Sequence, residues 1–144
     1  MPPTVAIIGA GPLGRWLALT AARAGFPVLL EDVMPGNLHH AQEILRRQLS
    51  PAALGLDSGS LAAPAIAFVS TIEDAVREAD LANCTYRPEK CIAIAAEAFE
   101  LTGTLAPEIL LRTTPRTSPE TIALVQHFWL QLGFTPTFKP DPTA

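Results

Sequence analysis

The sequence predicts an α/β domain on a mostly parallel sheet, and three observations carry that prediction. Short continuous apolar runs recur along the chain, as strands buried on both faces require. Segments with helical apolar stripes separate them, so strands and helices alternate from end to end. The first apolar run, Val5-Ala6-Ile7-Ile8, ends in a glycine-rich turn that opens the first helix.

The elements follow in order. Pro12 to Ala24 places Leu13, Leu17, Ala21 and Ala24 on one helical face, with Gly25 as the residue that ends the helix. Pro27 to Val33 is a second buried strand. Asn37 to Leu49 is an amphipathic helix with Leu38, Ala41, Ile44, Leu45 and Leu49 as its stripe. The stretch from Ser50 to Pro64 has turn residues without a period and is expected to be a loop. Ala65 to Ser70 is a third strand. Thr71 opens a short helix whose first turn carries acids, as the helix dipole favours. Asp80 to Tyr86 is a fourth strand, Pro88 to Leu101 a helix closed by Gly103, and Glu108 to Thr114 a fifth strand. Ser118-Pro119-Glu120 starts the last helix with a serine cap, a proline in the first position and an acid behind it. That helix runs to Leu132 and stops at Gly133. The proline-marked strand from Phe134 to Pro140 belongs at a sheet edge.

The chain of 144 residues suits one domain with one core. Its organisation reads as a first βαβα half over 2–49, the loop over 50–64, an abbreviated second half over 65–139 and a tail over 140–144. Hydrophobic residues make up 49% and charged residues 17%, enough to bury a core. The net charge is -4 and the ten basic residues are scattered, with Arg46-Arg47 the one adjacent pair. A surface that tracks nucleic-acid phosphates needs clustered cations, so no such partner is expected. No apolar stretch approaches the roughly 18 residues of a membrane span, and the N-terminus lacks the basic region of a signal peptide. The two cysteines, Cys84 and Cys91, form no CxxC, which fits a cytoplasmic chain with reduced thiols.

Gly9-Ala10-Gly11-Pro12-Leu13-Gly14 is GxGxxG. The pattern alone is weak. Here it follows a strand, opens a helix, and is followed eighteen residues after its last glycine by Asp32. That is the dinucleotide fingerprint of a Rossmann-type, doubly wound domain in its required context. Gly9 permits the tight turn, Gly11 lets the backbone approach a pyrophosphate, and Gly14 lets the helix pack on the strand. The helix start offers N–H groups to the phosphates. Pro12 removes one donor, so the Leu13 N–H is the expected contact. Asp32 is expected to accept from the adenosine ribose hydroxyls. A 2′-phosphate would meet two carboxylates, Glu31 and Asp32, with no arginine in the following Val33 to Asn37, which favours NAD over NADP.

The order of these segments resembles the NAD-binding domain of the 3-hydroxyacyl-CoA dehydrogenase family. Val5 to Leu45 carries the likeness first. Ile66 to Leu81 resembles the family's third strand and short helix, Pro88-Glu89-Lys90 its Pro-Glu turn, and Arg116 to Asp141 its last helix and strand. The resemblance implies a Rossmann fold, NAD as cofactor and oxidation of a CH–OH group. It also implies a strand-helix-strand block with a His-Phe-Phe-Asn-Pro sequence, whose histidine takes the hydroxyl proton, and a glutamate that orients it. No such block is found here, Cys84 stands at the strand-four glutamate, and the helical C-terminal domain that closes over acyl-CoA is not in the sequence. The sheet is therefore expected to be shortened by about one strand-helix-strand unit.

Other candidates for chemistry are modest. His127 sits mid-helix, where packing is its expected role. His39 and His40 are adjacent on a helix and point about 100° apart, so they cannot share one metal, and no metal is expected. Cys84 and Cys91 are expected to be inert thiols, Arg87 and Lys90 solvated charges, and Trp16 and Trp129 packing residues. A shortened sheet leaves an open edge or an apolar helix face. Phe128, Trp129 and Leu132, with Leu110 and Leu111, form the expected exposed set, covered in a homodimer or folded back to seal the sheet within one chain.

The functional expectation is an NAD(H)-binding protein without independent dehydrogenase turnover. One alternative is a small NAD-dependent oxidoreductase whose site forms at a dimer or partner interface, drawing its acid–base group from Tyr86, His127 or Cys84. A degenerate fold acting as an interaction module is the other.

Overall fold

The computed structural model describes residues 2–50, 66–82, 108–113 and 115–140. The helix expected over 88–101, nearly all of the 50–64 loop, and Cys84, Tyr86, Arg87, Lys90 and Cys91 lie outside the described residues.

The chain builds β1 (Val5–Ile8), α1 (Pro12–Arg23), β2 (Val28–Glu31), α2 (Pro35–Gln48) and β3 (Ile66–Val69). It continues through α3 (Ile72–Glu78), β4 (Leu81–Ala82), β5 (Glu108–Thr113), α4 (Pro119–Gln131) and β6 (Thr135–Pro140). Every pairing among them is parallel. The strand order is β3-β2-β1-β4, with β5 and β6 forming a second, two-stranded ladder among the described residues. Helices cover both faces of the larger sheet, so the fold is Rossmann-type.

Side-chain alternation explains the two layers. Val5, Ile7, Val28 and Leu30 face a core shared with Leu17, Ala18 and Ala21 of α1, Ala41 and Leu45 of α2, and Val125, Phe128 and Trp129 of α4. Ala6 faces the other way, onto Ala75 and Val76 of α3, with Ile8, Leu29 and Val69 packed beside them. The registers align Ile8, Glu31 and Val69 across three strands, so their carboxyl ends form one edge. The glycine-rich turn sits on that edge.

The caps follow the sequence. Ser118 Oγ accepts from the Thr121 N–H at 3.1 Å, and Thr71 Oγ1 accepts from the Asp74 N–H at 3.2 Å. Gly25 and Gly133 leave α1 and α4 with φ of 95° and 90°, where a side chain would be strained.

Three expectations need correction. Strand β2 stops at Glu31 instead of Val33, because Asp32 Oδ1 accepts the Met34 N–H at 2.8 Å and turns the chain into Pro35, the first residue of α2. That tight turn leaves Val33 65% exposed. Phe128 and Trp129 are not an exposed surface but are fully buried, and Leu111 is buried with them. They close the sheet within one chain, so these aromatics offer no face to a second copy. Finally, Ala24 lies exposed past the end of α1, where the helix no longer faces the sheet.

Candidate cofactor site

Gly9, Gly11, Pro12, Leu13, Gly14 and Asp32 come together at the carboxyl edge of the sheet, each for a separable reason. Gly9 has φ of 103°, a left-handed conformation that a side chain would strain. Its N–H donates to the Glu31 carbonyl at 2.8 Å, which anchors the turn to β2. A Cβ on Gly14 would collide with the Gly9 carbonyl oxygen, so a glycine here is what lets α1 lie against the turn. Gly11 differs from both. Its φ is an ordinary -73°, and a Cβ there would meet nothing within 4 Å. Neither strain nor crowding requires a glycine at position 11. The open space beside it is what a ligand brought close to the backbone would use.

Gly11 also caps α1 and, having no side chain, makes no side-chain cap bond to the helix's first turn. Pro12 occupies the first helical position. The Leu13 and Gly14 amides therefore end the helix without a side-chain cap, and the helix dipole adds partial positive charge there.

Asp32 is 9% exposed and ties three segments together. Its Oδ2 accepts the Ala10 N–H at 3.0 Å and the Asn37 side-chain amide at 3.4 Å, while Oδ1 accepts the Met34 N–H. Burial by itself pushes this carboxyl up, but the three hydrogen bonds outweigh it and hold the group below its ordinary value. Asp32 is thus an anion built into the turn. A carboxylate has lone pairs beyond the three used here, which leaves it able to accept from hydroxyl groups.

Glu31 behaves in the opposite way. It is 2% exposed, and its Oε2 is buried with no hydrogen-bond partner. Burial raises its carboxyl above the ordinary value, and the Asp32 and Glu73 carboxylates raise it further. Strand alternation puts it on the α3 side of the sheet with Leu29, opposite the face of Val28 and Leu30. Of the two carboxylates, only that of Asp32 is hydrogen-bonded to the glycine turn, while Glu31 meets the turn through its backbone carbonyl.

The sequence did not reveal the clamp between Ala10 and Asp32, although the spacing of Asp32 to Pro35 carries the signal of an Asx turn entering a helix. The burial of Glu31 was also missed. His127, named as a substitute base, packs its ring edge-on against Phe26, with centroids 6.3 Å apart. Phe26 precedes β2, so His127 lies at the amino edge of the sheet. Four strand residues, about 13 Å, separate that edge from the glycine turn. His39 and His40 are exposed on α2, and no cluster of metal-binding residues occurs among the described residues. No helix among them is long and apolar enough to cross a membrane.

A positive-φ glycine, an open backbone face at a helix start and a fixed anion at the end of the second strand define a dinucleotide-binding α/β domain. The comparisons agree with this class. Residues 4–95 match the family described as 3-hydroxyacyl-CoA dehydrogenase, NAD binding domain, and the chain belongs to that family. NAD is its cofactor class. A curated relative from Mesorhizobium japonicum, 5-formyl-3-hydroxy-2-methylpyridine 4-carboxylate 5-dehydrogenase, is 38% identical over 82 residues, 54% of this chain and 25% of its own length.

Among solved structures, (S)-3-hydroxybutyryl-CoA dehydrogenase from Ralstonia eutropha superposes with a TM-score of 0.70 at 18% identity, covering 98% of this chain and 64% of that one. A 5-formyl-3-hydroxy-2-methylpyridine 4-carboxylic acid 5-dehydrogenase, described as an NAD+-dependent dismutase, gives 0.65 at 22% identity, covering 98% and 59%. At these identities the structural likeness establishes the fold. The chain spans about a quarter of the curated relative and less than two thirds of these structures.

Proposed function

We propose that this chain binds NAD(H) as the cofactor half of a 3-hydroxyacyl-CoA dehydrogenase-type oxidoreductase and does not complete a dehydrogenase cycle by itself. The observation that carries the proposal is the hydrogen-bonded unit of Gly9, Ala10 and Asp32 beside the open backbone at Gly11. In the proposed role the Gly11 and Leu13 backbone receives the pyrophosphate, with the start of α1 supplying partial charge. Gly9 and Gly14 hold the turn, Pro12 fixes the helix start, and Asp32 accepts from the adenosine ribose. Bound NAD supplies the hydride acceptor. The chain's own residues bind and orient it.

The absence of independent turnover is supported by the position of His127, the candidate base among the described residues that the sequence singled out. It stands at the wrong edge of the sheet to take a proton beside a cofactor held at Gly11. The cytoplasm is the compartment we assign, from the reduced-thiol composition.

A second possibility is an oxidoreductase acting on a CH–OH group, completed by a partner or second copy. The naming of the curated relative as a dehydrogenase favours it. Oxidation of NADH by the chain with acetoacetyl-CoA separates the two. We expect cofactor binding without turnover. Measurable consumption of NADH by the chain alone would overturn that expectation in favour of the second possibility. Failure to bind either cofactor form would leave the fold as an interaction module.

A further inference from the structure

We infer that Arg15 is a cofactor-binding residue whose guanidinium supplies the positive charge for the pyrophosphate. This rests on the proposed placing of NAD at the Gly9–Gly14 turn and names a contact that the glycine fingerprint does not contain. Arg15 lies on α1 directly after Gly14, and its backbone N–H donates to the Gly11 carbonyl at 2.9 Å. Its side chain does not extend along the helix into solvent. It folds back over the turn, half-buried, and Nη1 donates to the Ala10 carbonyl at 3.3 Å. A guanidinium has five N–H donors, so one bond to Ala10 fixes the group and leaves others to meet an anion.

The local charge gives such a cation something to offset. Asp32 is held as an anion and its Oδ2 is bonded to the N–H of the same Ala10 whose carbonyl Arg15 grips. Pro12 removes one N–H donor from the helix start. An incoming pyrophosphate therefore approaches a turn that has lost a donor and lies beside a fixed carboxylate. A mobile cation on the surface would offset this weakly. A guanidinium pinned to the turn offsets it with little ordering left to do on binding.

The alternative for Arg15 is a brace that stiffens the turn through Ala10 and never touches the ligand. The two differ in which ligands feel its loss. The test is titration of the full chain and of Arg15→Ala and Arg15→Lys with NADH, ADP-ribose and adenosine, at two salt concentrations, with thermal melts of each variant. We expect Arg15→Ala to weaken NADH and ADP-ribose about tenfold or more, the loss of one charge-assisted hydrogen bond. Adenosine, which has no phosphate, should bind both proteins alike. Arg15→Lys should keep part of the affinity, and the salt dependence of NADH binding should flatten in Arg15→Ala.

Unchanged NADH affinity in Arg15→Ala would overturn the inference, as would an equal loss for adenosine, which marks a brace. Should Arg15→Ala melt too low to titrate, Arg15→Lys decides, because a charge contact is retained in part and keeps its salt dependence. If the unmodified chain binds none of the three ligands, the placing of NAD fails first and takes this inference with it.

Discussion

The two ends of the chain use the same architecture for different purposes. Around β1, α1 and β2, the special residues face the carboxyl edge of the sheet: Gly9 in a left-handed turn, Gly11 beside open space, and Asp32 bonded across to Ala10. Around β5, α4 and β6, they face inward. Phe128 meets Phe26 and Trp129 edge to face, at 5.0 and 5.4 Å, and Phe134 closes on Trp129 and Trp16 at 5.6 and 5.9 Å. Among the described residues, each region also leaves one buried polar atom without a hydrogen-bond partner, Glu31 Oε2 in the first and Trp129 Nε1 in the second. The first lies at the end of β2 on the α3 side of the sheet, the second within the aromatic packing. Changes in the first region should alter binding, and changes in the second should alter stability alone.

The largest expected effect lies in the aromatic region. Phe128→Ala removes a fully buried ring from between Phe26 and Trp129 and should cost about 3–5 kcal/mol, read as a lowered denaturant midpoint. NADH affinity per folded molecule should not change. A specific loss of affinity at full stability would break the division between the regions.

Two glycines three residues apart sharpen it. Gly14→Ala drives a methyl group into the Gly9 carbonyl and should cost about 3 kcal/mol while also distorting the turn. Gly11→Ala meets no neighbour and should cost less than about 1 kcal/mol, the difference between glycine and alanine as a helix cap. Yet it should abolish NADH binding, because its methyl group occupies the space proposed for the pyrophosphate. Equal stability loss for both variants, or retained binding in Gly11→Ala, would contradict the assignment.

A smaller effect concerns Glu31. Its carboxyl is raised above its ordinary 4.5 in the folded chain, so the unfolded chain loses its proton first as pH rises. The folded state is therefore favoured at low pH, and that advantage falls away as pH climbs from about 4.5 through the raised value. Glu31→Gln removes the charge and should be more stable than the parent by about 1 kcal/mol at pH 7. The gain should vanish below pH 4.5, and melts across pH would show it. A gain that persists at low pH would mean that packing, not charge, sets the cost.

Much of this division was legible in the sequence. The turn Gly9–Gly14, the acid at position 32, the serine cap at position 118 and the ending glycines at 25 and 133 are local signals, and each is decided by a few neighbouring atoms. What was not legible depends on distant parts of the chain. The burial of Phe128 and Trp129 requires Phe26 and Phe134 to meet them, and nothing local distinguishes a helix face covered by its own chain from one covered by a second copy. The fate of Glu31 was hidden for the same reason: adjacent acids read as one patch, whereas Glu31 ends β2 on the α3 side and Asp32 turns onto the Ala10 and Met34 amides. Arg15 carries no local signal of a ligand contact, and its bond to Ala10 appears only when the turn is folded.

The most direct measurement is calorimetric titration of the chain with NAD and NADH, with NADP beside them and Asp32→Ala as the site variant. Micromolar binding of NADH, no binding of NADP, and loss of NADH binding in the variant are expected. No heat from either NAD form at high concentration would contradict this, because a turn with this geometry would then serve the fold alone.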